Sequence, residues 1–146
     1  MTDTELRPLP LADCLVRLRE TQTGRIAVVV HDFPIVLPIN YRLVETSGLT
    51  WVAFRTRAGN VIDRAPMNAA LEIDGIDHEE QRGWSVLVRG TLHHVDPDSA
   101  DFRDRFDPEP WLGDDRDSWM VIVPFAITGR VLIGSTDWEF RITAET

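Results

Sequence analysis

The sequence predicts a mainly β protein, built as a closed or partly closed β-barrel with a few short helices. Two observations carry this. About six short segments are apolar, rich in β-branched residues and bounded by Gly, Pro, Asn and Asp. Only two or three segments have helical spacing, and they do not alternate with the strands as a doubly wound sheet requires. The length of 146 residues suits one domain with its own core, and no internal repeat is visible.

Leu11, Cys14, Leu15 and Leu18 recur at helical spacing behind Pro10, which suits a first helical position. The helix is expected over about residues 11–23, with Thr23-Gly24 as its stop. Arg25 to His31 is a short, apolar, β-branched run and reads as a buried strand. Asp32-Phe33-Pro34 is a turn, and Ile35 to Leu43 a second strand. Pro38 cannot donate to a ladder, so it marks a bulge or an edge position. Glu45-Thr46-Ser47-Gly48 is a hairpin turn before a third strand, Leu49 to Arg55.

Residues 57–66 read as a loop and a short helix closed by Pro66, followed by a strand over Ala69–Asp74. Gly75 to Gly83 is an acidic loop, and Trp84 to Val95 a long strand. A helical stretch follows Asp96-Pro97-Asp98 as far as Phe106, then a loop rich in Asp, Pro and Gly around Trp111. Trp119 to Pro124 is the next strand, and Ile127 to Ile133 continues or follows it. The barrel is therefore expected over about 24–134, with a tail over 135–146 in which Trp138 to Ile142 adds a last extended piece.

Composition narrows the function by exclusion. The net charge of −9 argues against a nucleic-acid partner, because phosphate neutralisation needs clustered cations. No apolar run approaches the ~20 residues of a membrane span, and the acidic start has no secretory character, so a cytoplasmic location is the default expectation. All 15 basic residues are arginine. Lysine Schiff-base chemistry is excluded, and any anion must be held by guanidinium, backbone N–H or hydroxyl groups. Cys14, the single cysteine, reads as a buried apolar residue. His93 and His94 are adjacent on a strand and point to opposite faces, which disfavours a joint metal site.

Several motifs follow one another in a fixed order. They are Thr23-Gly24-Arg25-Ile26-Ala27-Val28, Pro38-Ile39-Asn40-Tyr41, and Phe54-Arg55-Thr56 with Gly59; then come Gly83-Trp84-Ser85-Val86-Leu87-Val88-Arg89-Gly90 and Ile127-Thr128-Gly129-Arg130. In that order they resemble the flavin-binding split-barrel superfamily related to pyridoxamine 5'-phosphate oxidase. The likeness is to its short actinobacterial-type and nitroimidazole-reductase-like members, from about residue 11 to 134. The resemblance implies a six-stranded split barrel, a homodimer, and two clefts between the subunits that hold flavin mononucleotide (FMN).

It also implies roles. The strand Pro38-Ile39-Asn40-Tyr41 would pass beside the flavin ring. Phe54, Arg55, Thr56, Arg57, Gly59 and Asn60 would hold ribityl and phosphate groups. Trp84 and Ser85 would approach the ring, often from the partner subunit. The chain departs from the pattern at Val61, where the family usually has a phosphate-binding lysine, and leaves Arg55, Arg57 and Arg64 to compensate. Each residue also has a plain structural alternative: strand-end charges for the arginines, core or interface packing for Trp84, and backbone satisfaction beside Pro38 for Asn40.

The expected activity is therefore a flavin-dependent oxidoreductase of unknown substrate, with Trp84, Trp111 or Trp119 walling the substrate side. A deazaflavin-dependent reductase of the same fold and a cofactor-free split-barrel binding protein are the alternatives.

Overall fold

The structure, a computed structural model, describes residues 5–99, 102–111 and 116–133. The chain order is β1 (Glu5–Leu9), α1 (Leu11–Glu20), β2 (Thr23–Val30), β3 (Phe33–Thr46), β4 (Leu49–Thr56), β5 (Met67–Asp77), β6 (Arg82–His94), α2 (Phe102–Phe106) and β7 (Ser118–Ile133). Six strands close a ring in the order β7-β4-β3-β2-β5-β6, with β6 returning to β7, and all the pairings are antiparallel. The mainly β barrel expected from the sequence is thus present. It carries a seventh strand, β1, laid beside the second half of β7.

Two long strands turn the corners. Residues 33–40 of β3 pair with β2, and residues 41–46 pair with β4. Pro38 lies in the half that is paired on one side only, the edge position its missing donor calls for. β7 is one continuous strand that keeps β6 on one edge while passing from β4 to β1 on the other. A bulge between Arg89 and Gly90 bends β6. Gly90 is required there, because a Cβ would collide with the Val123 carbonyl.

Three local expectations are corrected. Residues 57–66 form no helix; Asn60 N–H bonds the Arg57 carbonyl and Asp63 N–H the Asn60 carbonyl, giving successive turns through Gly59 at a φ of 82°. The expected loop Gly75–Gly83 is mostly strand, since Gly75 pairs with Trp84 and Asp77 with Arg82. The helical stretch before Phe106 shrinks to α2. The expected piece at Trp138–Ile142 lies outside the described residues.

Alternating residues of each strand fill the barrel. Val28, Phe54, Leu71, Val86, Val88 and Ile122 meet in its interior with Cys14 and Leu18 of α1. Each buried aliphatic side chain of this kind contributes on the order of 1.5–3 kcal/mol. A second cluster lies on the outer face of β4 and β7, where Ala53, Trp119 and Val121 pack under Phe102 of α2. No helix among the described residues is long and apolar enough to cross a membrane.

Candidate functional site

The end of β4 and the facing stretch of β3 build a cleft of about 240 Å³. Pro38, Ile39 and Asn40 of β3, Arg55 and Thr56 of β4, and Asn60 of the following loop all line it. Half of the sequence-predicted site residues therefore converge on one place. Leu37, Ile62, Pro110 and Arg116 complete the wall.

Thr56 is 3% exposed and is the one buried polar residue among those described. Its hydroxyl has no hydrogen-bond partner among the described residues, and the residue lines the cleft. Arg55, whose side chain is 14% exposed, is held firmly. Its Nε donates to the Arg116 carbonyl at 2.9 Å, and its Nη1 donates to both Asp107 carboxylate oxygens at 3.1 and 3.4 Å. Its guanidinium lies 4.9 Å from the centre of the Trp119 ring, a favourable cation–π distance.

Asn40 uses both ends of its amide. The Nδ2 donates to the Thr23 hydroxyl at 3.1 Å, and the Oδ1 accepts from the Trp111 N–H at 3.0 Å. Asn40 and Arg55 thus tether the segment 107–111 across the mouth of the cleft. Trp111 stands at that rim with 72% of its surface exposed, so a flat aromatic face is available beside the site. Trp119 does not wall the site; it is buried between Arg55, Arg103 and Phe102.

The loop after β4 is organised by Asp63. Its Oδ2 accepts the Gly59 N–H at 2.8 Å, and its Oδ1 accepts the Ser118 hydroxyl at 2.6 Å and meets His94 Nε2 at 2.6 Å. Burial alone would raise the Asp63 carboxyl, but the hydrogen bonds from Ser118, Gly59 and His94 outweigh it and hold the group below the usual carboxylate range. The trio contains the residue types of a hydrolase triad in the wrong arrangement. The carboxylate sits between serine and histidine, so the imidazole does not take the base position beside the hydroxyl, and the cluster reads as a clamp on the loop.

The remaining predicted residues lie elsewhere. Phe54 is fully buried in the barrel core. Tyr41 is also buried, its hydroxyl donating to the Leu18 carbonyl at 2.8 Å; burial raises its pKa, and it serves to pin α1 to β3. Gly59 gives the loop its left-handed turn, while Arg57 and Arg64 are exposed residues. Val61 packs against the main core. Trp84 and Ser85 sit on β6, three strands from Asn40 in either direction around the ring. Trp84 lines a separate cleft of about 930 Å³ at the α1 end of the barrel, its ring 4.5 Å from the Arg17 guanidinium. Gly75 makes room for that ring, since a Cβ there would strike the indole.

Asp107 and Arg116 are the residues the sequence did not single out. Both lie in a run rich in Asp, Pro and Gly that reads as an ordered or mobile loop. No group of side chains suited to a metal ion occurs among the described residues.

Comparison with known proteins agrees with this architecture. The chain is similar to an FAD-binding protein from Mycobacterium smegmatis, 29% identical, over 87% of this chain and 98% of that one, with a TM-score of 0.64. A conserved protein of unknown function from Corynebacterium diphtheriae is 26% identical over 88% of this chain and 98% of its own, with a TM-score of 0.73. An FAD-binding protein from Mesorhizobium loti, 18% identical over 89% of this chain and 98% of its own, shares the fold with a TM-score of 0.70. No curated protein matches the sequence. The profile of the pyridoxamine 5'-phosphate oxidase family matches residues 10–131, and the chain belongs to that family.

Proposed function

We propose that this protein is a flavin-dependent oxidoreductase that works as a homodimer. Arg55, Thr56 and Asn60 would seat the ribityl and phosphate end of the cofactor. One observation carries the reading: among the described residues the buried Thr56 hydroxyl has no partner, on the wall of a cleft lined by two arginines. An unpaired buried hydroxyl costs on the order of 1–3 kcal/mol, and a ligand oxygen would remove that penalty. Family membership and the likeness to an FAD-binding protein at 29% identity support a flavin as the ligand.

The size of the cleft supports the dimer. At about 240 Å³ it falls below the roughly 300–1,000 Å³ of ordinary ligand pockets, so it suits the polar tail of a flavin and leaves the ring system unhoused. A second copy would supply the missing walls. The outer face of β2 and β3 exposes Val29 and Val36, an apolar surface suited to pairing. Trp84 and Ser85, remote from the cleft within one protomer, would then serve the ring from the other.

When bound, the flavin supplies hydride or electron transfer. The chain's own residues bind it, orient it and exclude water. Trp111 offers its face to a small planar oxidised substrate such as a quinone, a heterocycle or a nitroaromatic compound. The chemistry needs no acid–base pair from the protein.

A deazaflavin-dependent reductase of the same fold is the second reading, favoured by Val61, which leaves the loop without a cation at that position. The test is a visible spectrum of the purified protein titrated with FMN, FAD and a deazaflavin, together with its mass in solution. Uptake of a flavin by a dimer is expected. A monomer, or no flavin uptake at concentrations on the order of tens of micromolar, would sink the first reading.

A further inference from the structure

We propose that a second copy of this chain seats on the outer face of β3, β2, β5 and β6, and that Arg25 and Glu72 lock the pair across a two-fold axis running between β2 and β5. The inference rests on the homodimer of the reading above. It adds which face pairs and through which residues.

Strand alternation defines the face. Ile26 and Val28 point into the core, so Arg25, Ala27 and Val29 of β2 point outward. Leu71 and Ile73 likewise turn Ala70, Glu72 and Asp74 of β5 outward. The register then orders these residues in rows across four neighbouring strands. One row is Pro38, Arg25, Glu72 and Leu87, and the next is Val36, Ala27, Ala70 and Arg89. On the other side Asn40 pairs with Thr23 and Asp74 with Ser85. The β2–β5 register, carried two residues further, joins those four into a third row. The middle of the face is small and flat at Ala27 and Ala70, and Val29 and Val36 beside it are 60% and 58% exposed.

A symmetric pair needs a surface that complements itself. An axis parallel to the strands, lying in this face between β2 and β5, sets β2 over β5 of the second copy and β3 over its β6. Ala27 then meets Ala70, so the two sheets can close to the usual packing distance. Arg25 meets Glu72 twice, once from each copy. Within its own chain Arg25 uses only Nη1, which donates to Glu72 Oε1 at 3.1 Å and to Asp74 Oδ2 at 3.0 Å. Its Nε and Nη2 make no hydrogen bond among the described residues and remain for the second copy. Asp74 meets Thr23, whose hydroxyl accepts from Asn40 Nδ2 and keeps its own proton to donate. The same rotation sets Ser85 over Asn40, the juxtaposition that a flavin site shared between two chains requires. An axis across the strands at this row would set Arg25 on Arg25 and Glu72 on Glu72, which like-charge repulsion disfavours.

The experiment measures association of the cofactor-free protein by sedimentation equilibrium. Arg25→Glu and Glu72→Arg are each expected to weaken the dimer about ten-fold or more. An equal mixture of the two variants is expected to pair within about ten-fold of the native affinity, because each new charge then meets its opposite on the other chain. Both variants stay acidic overall, since each changes the net charge of −9 by two, so bulk attraction cannot produce that rescue. A role confined to one chain would not be rescued by mixing either, and failure of the mixture to pair would overturn the inference. Val36 supplies a check at an exposed position that folding tolerates. Val36→Arg, opposite Arg89 of the second copy, is expected to weaken the dimer, and Val36→Asp is not. Equal association of these two variants would also overturn the inference. A native protein that stays monomeric removes the dimer and this inference together. Flavin uptake is read separately by the visible spectrum, so loss of the flavin reading with the mixed pair intact leaves this interface standing.

Discussion

Replacing Asp63 by asparagine tests whether this side chain is the clamp of the loop after β4. In the native protein its carboxylate accepts the Ser118 hydroxyl at 2.6 Å and the Gly59 N–H at 2.8 Å, and meets His94 at 2.6 Å. The side chain is 13% exposed, so these contacts are only partly screened by water. Asparagine keeps the shape but has one accepting oxygen, and its NH2 group faces a donor on the other side. At least one hydrogen bond to a charged acceptor is lost, worth about 1.5–3 kcal/mol; the lower half of that range suits a site near the surface, so about 2 kcal/mol is expected. Urea denaturation at fixed protein concentration measures it as a shift of midpoint with unchanged slope. The pH dependence supplies the decisive sign. The Asp63 carboxyl is held below its ordinary value in the folded protein, so its contribution is complete above the ordinary carboxylate range and disappears as acid protonates the folded state. The gap between native protein and variant should therefore shrink steadily between about pH 5 and pH 2. A gap under about 0.5 kcal/mol at neutral pH, or one that stays constant into acid, would refute the clamp.

Three further outcomes follow from the geometry. Thr56→Val should stabilise the cofactor-free protein by up to about 1 kcal/mol, because it removes an unpaired buried hydroxyl, while weakening flavin binding about ten-fold; melting curves and titrations on one preparation check both signs. Gly90→Ala should cost about 2–3 kcal/mol or more, since the new methyl meets the backbone of Val123 and Pro124 rather than a flexible side chain. Gly48→Ala makes the control: it has open space around it and bears only the cost of its φ of 80°, about 1–2 kcal/mol, and denaturant midpoints rank the two. Cys14 should resist a thiol reagent until the protein unfolds, because burial first, and Asp13 beside it, raise its pKa and keep the thiolate scarce; labelling that outpaces unfolding would contradict that.

Most of the barrel was legible because its strands announce themselves locally. Val86, Val88 and Leu92 alternate with exposed or half-exposed residues along β6, and Ile26, Val28 and Val30 do so along β2. β1 gave no such signal. It has five residues, contains Pro8, exposes Leu6, and owes its existence to pairing with a segment of β7 far along the chain. The sequence around the β5–β6 hairpin predicts too long a loop, because Gly75 and Gly83 look like turn residues. In the fold Gly75 is a strand residue that yields its space to the Trp84 indole, a cross-strand contact no local pattern encodes. At the site, the strand-end run Arg55-Thr56 and the loop residue Asn60 were readable from sequence and do line one cleft. What remained hidden was the partner of Arg55, because Asp107 stands 52 positions away among many aspartates of identical local character.

The division of labour between Arg55 and Thr56 explains why the cleft sits where it does. Neighbours on a strand point to opposite faces, and here the two faces belong to different cores. Arg55 extends over the outer cluster, stacked on Trp119 and tied to the segment that bears Asp107. Thr56 follows the inward register of Val52 and Phe54 and reaches the end of the barrel interior. Only at the last residues of a strand can both side chains border the same space, because beyond Thr56 the wall stops. A hydroxyl deeper in the barrel would have no ligand to meet, and an arginine nearer the middle of β4 would be cut off from the opening. The end of β4 is therefore the place in this ring where an unpaired buried donor and a guanidinium can face one ligand. The two tethers from Asn40 and Arg55 then make the segment 107–111 part of the same site rather than a loose connection.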